Sequence, residues 1–162
     1  MTSDLPRSEA SRSPSRFARR GFVLGGLAVL GVGALGSARW FNVNAQVTAG
    51  DLSAPDAHAA ARAGEIVLID IRRPDEWART GVPEGGIGID MRRDDFVDVL
   101  LAQVDGDPSR PVALICARGV RSARMSARLR AAGFTQIIDV PEGMLGSGAG
   151  PGWLRRGLPV VQ

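Results

Sequence analysis

Short apolar runs alternate with stretches of helical periodicity along residues 46–162. Two such runs, at residues 65–71 and Val112–Ile115, are bounded by turn residues, which is typical of buried strands in a parallel sheet. Shorter runs predict further strands at residues 46–50, 87–89 and 136–140. Helical spacing predicts helices at residues 57–63 with Ser53 as the cap, from Pro74 onward, at residues 94–104 and at residues 122–132. The alternation predicts an α/β fold that is built on a small parallel sheet.

The only cysteine of the chain, Cys116, stands at the end of the apolar run Val112–Ile115. A short loop follows, and the apolar positions from Ala123 onward predict a helix that stops at Gly133. Ligand sites of open α/β sheets lie beyond the carboxyl ends of the strands. The sequence therefore predicts that Cys116 lies in a functional site between a strand and a helix.

The loop after Cys116 carries groups that favour the thiolate, which is the reactive form of a cysteine. Backbone N–H groups of the loop and of the following helix are expected to converge on the sulfur, and Gly119 allows the loop to curl. Arg118 and Arg121 add positive charge. We interpret the segment as an anion-binding loop around a nucleophile. The alternative is that Cys116 is a small buried apolar residue, as most free cysteines are.

The residues Cys-Ala-Arg-Gly-Val-Arg-Ser at 116–122 fit the pattern C-x-x-G-x-R-S, and through it the chain resembles the rhodanese-like sulfurtransferases. Further landmarks of that family follow the same order: Val-Leu-Ile-Asp-Ile-Arg at 67–72 with Glu76, Ala-Ala-Gly-Phe at 131–134, Trp153, and Gly-Leu-Pro-Val at 157–160. The resemblance implies a rhodanese-like α/β domain at residues 46–162. Its small parallel sheet of about five strands is expected to be flanked by helices on both faces.

The resemblance also implies roles for individual residues. Cys116 is expected to be the catalytic nucleophile. Substrate binding is expected from the loop residues Ala117, Arg118, Gly119, Val120, Arg121 and Ser122. Asp70 and Arg72 are expected to support the site, Asp70 by hydrogen bonds to the loop backbone. The alternative for Asp70 is an ion pair with Arg72 or Arg73 at the strand end.

The implied reaction is the transfer of a sulfane sulfur from thiosulfate or a persulfide, through a Cys116 persulfide, to a thiol or cyanide. Related phosphatases and arsenate reductases use a longer loop, C-x5-R, whereas Cys116 to Arg121 is C-x4-R, and this disfavours an oxyanion substrate. The sequence is also compatible with a non-catalytic sulfur carrier that docks to an exported partner protein, and with an inactive structural domain. We expect a monomer.

Two segments depart from the family pattern. Residues 80–86, Thr-Gly-Val-Pro-Glu-Gly-Gly, lack the histidine that the family usually has there. Residues 141–152 form a longer segment than usual, in which Glu142 replaces a glycine. The five glycines of this segment predict a mobile loop near Cys116, which either shapes substrate access or is a plain surface excursion.

Charge is divided unevenly along the chain. Residues 1–45 hold six arginines and two acids, a net charge of +4, and residues 46–162 hold fourteen arginines and fifteen acids, a net charge of −1. The basic character belongs to the N-terminal segment, so we expect no nucleic-acid binding. The only histidine, His58, has no ligand-type neighbours. We therefore expect it on the solvated surface, and we expect neither a metal nor another cofactor.

Residues 1–45 resemble a twin-arginine export signal. Arg19 and Arg20 precede residues 21–38, which carry no charge and are rich in Gly, Ala, Val and Leu. Small residues favour cleavage before Gln46, with a second site at residues 36–38. The alternative is an uncleaved anchor, because residues 21–38 are just long enough to span a bilayer. In either case we expect a periplasmic domain, either free or tethered to the inner membrane by this segment.

Overall fold

The structure of the protein is a computed structural model that describes residues 48–162. Its strands are β1 (Val67–Asp70), β2 (Val82–Pro83), β3 (Gly86–Gly88), β4 (Val112–Ile115), β5 (Ile137–Asp139) and β6 (Val160–Val161). Its helices are α1 (Ala54–Arg62), α2 (Pro74–Thr80), α3 (Phe96–Gln103) and α4 (Val120–Ala131). None of these helices has the length and apolar character that crossing a membrane requires.

Four of the strands form one parallel sheet in the order β3-β1-β4-β5. β4 lies inside the sheet and every one of its residues is buried, as its continuous apolar run predicts. The register places Leu68 beside Ala113 and Asp70 beside Ile115, so β1 and β4 end at the same edge. The short strands β2 and β6 form a separate antiparallel pair.

Helices cover both faces of the sheet, because alternate side chains of each strand point to opposite sides. On one face Ile69 and Leu114 pack with α3 and α4 through Phe96, Leu100, Met125 and Leu129. On the other face Leu68, Ala113 and Ile115 pack with α1 and with Met144 and Trp153. The predicted α/β architecture with a parallel sheet between two helical layers is confirmed.

The predicted helix boundaries agree well with the structure where a capping residue marks them. The Ser53 hydroxyl accepts a hydrogen bond from the Asp56 amide, at 3.3 Å, and α1 begins directly after Ser53. Pro74 is the first residue of α2, where its missing N–H costs nothing. α4 ends just before Gly133, whose φ of +100° is left-handed.

The strand count differs from the expected number of about five. The parallel sheet has four strands, and the strand predicted at residues 46–50 is wrong for the part that the structure describes. There the carboxylate of Asp51 accepts hydrogen bonds from the amide and hydroxyl of Thr48, and residues 49–50 form a turn. An aspartate that satisfies the backbone locally favours a turn over a sheet ladder. Residues 46–47 lie outside the described residues.

Asp139 is a buried carboxyl at the end of β5, on the face that α4 covers. Within residues 48–162 its Oδ1 atom has no hydrogen-bond partner. Burial raises the pKa of Asp139 to about 6, and the charge of Asp51 adds to the rise. The folded protein therefore holds this proton at a pH where the unfolded chain has released it.

We predict that Asp139 makes the protein less stable as the pH rises from about 4 to above 6. Across that window only the folded state retains the proton, so the free energy of unfolding falls, by up to about 3 kcal/mol for this one group. Urea unfolding of the wild type and Asp139→Asn at pH 4, 5, 6 and 7.5 measures the effect. The stability difference between the two proteins should shift in favour of the variant as the pH rises. Parallel pH profiles would contradict the prediction.

Candidate functional site

Cys116 follows β4 directly and is only 1% exposed. The next helix, α4, begins at Val120, so four residues join strand and helix, of which Cys116 is the first. The predicted arrangement of strand, tight loop and helix is confirmed. It places the thiol at the carboxyl edge of the sheet, beside the end of β1.

The loop that leaves Cys116 turns sharply at Gly119, which has a φ of +79° and caps α4. Residues with a Cβ rarely adopt this conformation, and this explains the glycine. The carbonyl of Gly119 accepts hydrogen bonds from the Ala123 amide at 3.1 Å and from the Ser122 hydroxyl at 3.0 Å. The N–H groups of the first helical turn find no acceptor inside the helix and are available to an anion.

Arg121 lies in the first turn of α4, and its positively charged side chain lies near Cys116. Hydrogen bonds with Glu76 raise the pKa of Arg121, its partial burial opposes this, and the negative charge of the Cys116 thiolate raises the pKa further. The Arg121 side chain is therefore close enough to Cys116 for an electrostatic interaction. Arg118 is exposed on the loop, and within the described part of the chain no carboxylate lies at ion-pair distance from it.

Glu76 of α2 is a residue of this site to which the sequence pattern assigned no role. Its two carboxylate oxygens accept hydrogen bonds from the two terminal nitrogens of Arg121, each at 2.7 Å. These bonds lower the pKa of Glu76 to about 2, although its partial burial acts in the opposite direction. The sequence contains one indication of this position, because Glu76 closely follows the end of β1, which lies beside Cys116.

Asp70 and Arg72 form a buried ion pair at the end of β1, with the shortest distance 2.6 Å. The Asp70 carboxylate accepts hydrogen bonds from both the side chain and the amide of Arg72. The structure thus has the ion pair that was the alternative for Asp70. Arg72 also donates to the Thr80 hydroxyl and the Gly81 carbonyl, at 2.7 Å each, and so ties the end of α2 to β1.

The glycine-rich segment 141–152 packs directly against the loop of Cys116. The amides of Met144 and Leu145 donate to the carbonyls of Cys116 and Ala117, at 2.8 and 2.9 Å. A Cβ at Gly143 would lie 2.6 Å from the Ala117 oxygen, so only glycine permits this approach. The predicted proximity to Cys116 is confirmed, and this end of the segment is held by hydrogen bonds rather than lying free.

Glu142 anchors the same segment. Its buried carboxylate accepts hydrogen bonds from the Gly152 amide at 3.0 Å and the Ala54 amide at 3.4 Å, and it forms an ion pair with Arg156 at 2.7 Å. These contacts join Glu142 to the N-terminus of α1 and to Gly152 at the other end of the segment. The acid in place of the usual glycine therefore has a structural partner for each oxygen.

His58 is partly buried rather than fully solvated, which corrects the expectation of a surface position. Its Nε2 atom lies 2.9 Å from the Glu84 carboxylate, and its ring packs edge-on against Trp153 with centroids 5.4 Å apart. Both contacts come from segments far away in the sequence. The 80–86 segment, which lacks the usual histidine, supplies Glu84 as the partner of His58.

Comparison with known proteins agrees with this geometry. The sequence matches the family model of the rhodanese-like domain over residues 53–146, more than half of the chain. Among solved structures, the polysulfide-sulfur transferase homodimer of Wolinella succinogenes is 34% identical with a TM-score of 0.52, over 68% of this chain and 76% of that one. No curated protein matches the sequence.

Two more solved structures are similar over the same region. The thiosulfate sulfurtransferase of Pseudomonas aeruginosa is 26% identical with a TM-score of 0.51, over 69% of this chain and 20% of that one. The Alr3790 protein of Anabaena sp. has a TM-score of 0.53 at 21% identity, over 68% of this chain and 90% of that one, and shows the fold alone. By its sequence match and by its fold, the chain belongs to the family of rhodanese-like domains.

Proposed function

We propose that this protein is a sulfurtransferase that moves a sulfane sulfur through a persulfide on Cys116. The observation that carries the proposal is the position of the chain's only thiol. It directly follows a central strand, three residues separate it from a helix, and it lies near the Arg121 side chain. Positive charge and free N–H groups at one sulfur stabilise a thiolate, and they also stabilise the anion of a persulfide.

In the first step, the Cys116 thiolate attacks the outer sulfur of the donor. With thiosulfate, the bond between the two sulfur atoms breaks, sulfite leaves with the electron pair, and Cys116 becomes a persulfide. With a persulfide donor, the leaving group is the donor's thiolate. In the second step, cyanide or a thiol attacks the outer sulfur of Cys116 and restores the thiolate. The N–H groups of residues 117–122 are proposed to hold the persulfide anion.

The donor is proposed to be thiosulfate, a persulfide or a polysulfide. Polysulfide is included among the donors because the similar Wolinella succinogenes protein is a polysulfide-sulfur transferase. The C-x4-R spacing, shorter than that of the related phosphatases, supports a sulfur substrate over a phosphate or arsenate. A second candidate is a sulfur carrier that gives its persulfide to a single exported protein. The 1% exposure of Cys116 supports it, because a specific partner could open the approach to the thiol.

We also propose that residues 1–45 direct export by the twin-arginine route, so that the domain acts in the periplasm. The support is the sequence itself, with Arg19 and Arg20 before the uncharged residues 21–38. Cleavage before Gln46 would release the domain, and an uncleaved segment would tether it to the inner membrane.

Replacement of Arg19 and Arg20 by lysine in the full chain should retain the protein in the bacterial cytoplasm, because the route requires the arginine pair. Cell fractionation and immunoblotting measure the distribution. The matched control is replacement of Arg12 and Arg16 by lysine, which conserves the same charge and should leave export unchanged. Equal export of both double variants would contradict the proposed route.

For the reaction, Cys116→Ser should lower thiocyanate formation from thiosulfate and cyanide to the uncatalysed rate, because a serine hydroxyl cannot carry the sulfane sulfur. The wild type should give parallel double-reciprocal plots, since the donor product leaves before the acceptor reacts. Circular dichroism and thermal melting verify that the variant is folded. A folded serine variant that retained the wild-type rate would rule out the Cys116 relay.

A further inference from the structure

The Arg121 guanidinium is occupied by a protein carboxylate. Both of its terminal nitrogens donate to Glu76, which reaches it from α2 across 45 residues of sequence. The pair is well shielded, with Glu76 14% and Arg121 30% exposed. A bidentate pair of this kind uses the planar donor fork through which arginine also binds anionic substrates.

Glu76 is held in place by more than Arg121. The amide of Arg73 donates to its Oε2 atom at 3.2 Å, and the Arg73 guanidinium lies 3.6 Å from the same oxygen. Together with the bonds from Arg121, these contacts keep the carboxylate ionised at every pH near neutrality. Glu76 is therefore a permanent negative charge next to the cation that faces the nucleophile.

This arrangement reduces the positive charge that Arg121 offers to a donor. The charge of Arg121 is offset by Glu76. Arg118 is the exposed cation of the loop, and no ion-pair partner is found for it in residues 48–162. Glu76 reduces the favourable electrostatic energy more for a doubly charged donor than for a singly charged one, because this energy scales with the charge of the ligand.

We propose that Glu76 is a specificity-determining residue that disfavours dianionic thiosulfate relative to singly charged organic persulfides as the sulfur donor. The inference rests on the proposed sulfurtransferase function and names the donor class of the same site. In the favoured reaction, the Cys116 thiolate bonds to the outer sulfur of R–S–S⁻. The S–S bond of the donor breaks, and R–S⁻ leaves and takes up a proton from water.

Glu76→Gln tests the proposal, because it removes the charge and preserves the size of the side chain. The KM for thiosulfate should fall about tenfold as the guanidinium becomes an uncompensated cation. The KM for cysteine persulfide, a monoanion at neutral pH, should change less than threefold. Thiocyanate formation with cyanide, corrected for the uncatalysed rate, measures both.

Asp75→Asn is the matched control. Asp75 is the neighbouring acid on α2, it pairs with Arg73 and Arg79, and it loses the same charge on substitution. Its donor preference should equal that of the wild type. In an Arg121→Gln background, Glu76→Gln should no longer change the ratio of the two KM values, since Glu76 acts through Arg121.

A second readout does not require any donor. In Glu76→Gln the thiolate faces a full positive charge, so Cys116 should react with iodoacetamide several-fold faster at pH 7 than in the wild type or Asp75→Asn. An unchanged or higher KM for thiosulfate in Glu76→Gln overturns the specificity proposal, even where the enzyme remains active with both donors. Failure of the wild type to turn over either donor overturns the proposed function itself, and the specificity proposal with it.

Discussion

The parallel pairing of β1 with β4 determines where every group of the site lies. Asp70 stands beside Ile115, and the Ile71 amide donates to the Ile115 carbonyl at 2.9 Å. This register brings the two strand ends to one edge of the sheet. The helices that follow these strands, α2 and α4, therefore begin near each other. A shift by one residue would exchange the two faces of a strand and turn Cys116 away from α4. Glu76 and Arg121 meet only because the register holds.

Two carboxyl groups with little access to solvent show how their surroundings determine the pKa. Glu76 has a guanidinium and an amide as partners, and its pKa is lowered to about 2. Asp139 forms no ion pair within residues 48–162, and burial raises its pKa to about 6. Cys116 is only 1% exposed, so any anion bound there depends on Arg121 and on the N–H groups of the helix start rather than on water.

Local sequence signals predicted much of the fold. The apolar run of β4, the serine before α1 and the glycine after α4 each act within a few residues, so the pattern alone located these elements and the loop after Cys116. The strand predicted at residues 46–50 failed because Asp51 satisfies the Thr48 backbone and makes a turn. The antiparallel pair of β2 and β6 joins residues that are far apart in sequence, and no local pattern indicates such a contact.

The composition of a segment also proved a poor guide to its role. The glycines of residues 141–152 suggested mobility, yet Gly143 is required where the segment touches the Ala117 backbone. His58 was expected on the surface, because its partners Glu84 and Trp153 approach only in the folded chain. Glu76 was visible in the sequence, but its pairing with Arg121 depends on two helices that follow different strands. Chemistry that arises from tertiary contacts cannot be read from spacing.

We propose that Cys116 carries the transferred sulfur, and intact mass spectrometry of the purified protein can detect that sulfur. The protein is measured before and after treatment with thiosulfate or cysteine persulfide, with Cys116→Ser alongside. We expect a gain of one sulfur atom that cyanide removes and that the serine variant does not show. A wild-type protein that gains no sulfur from either donor, or a serine variant that gains it equally, would rule out sulfur transfer through Cys116.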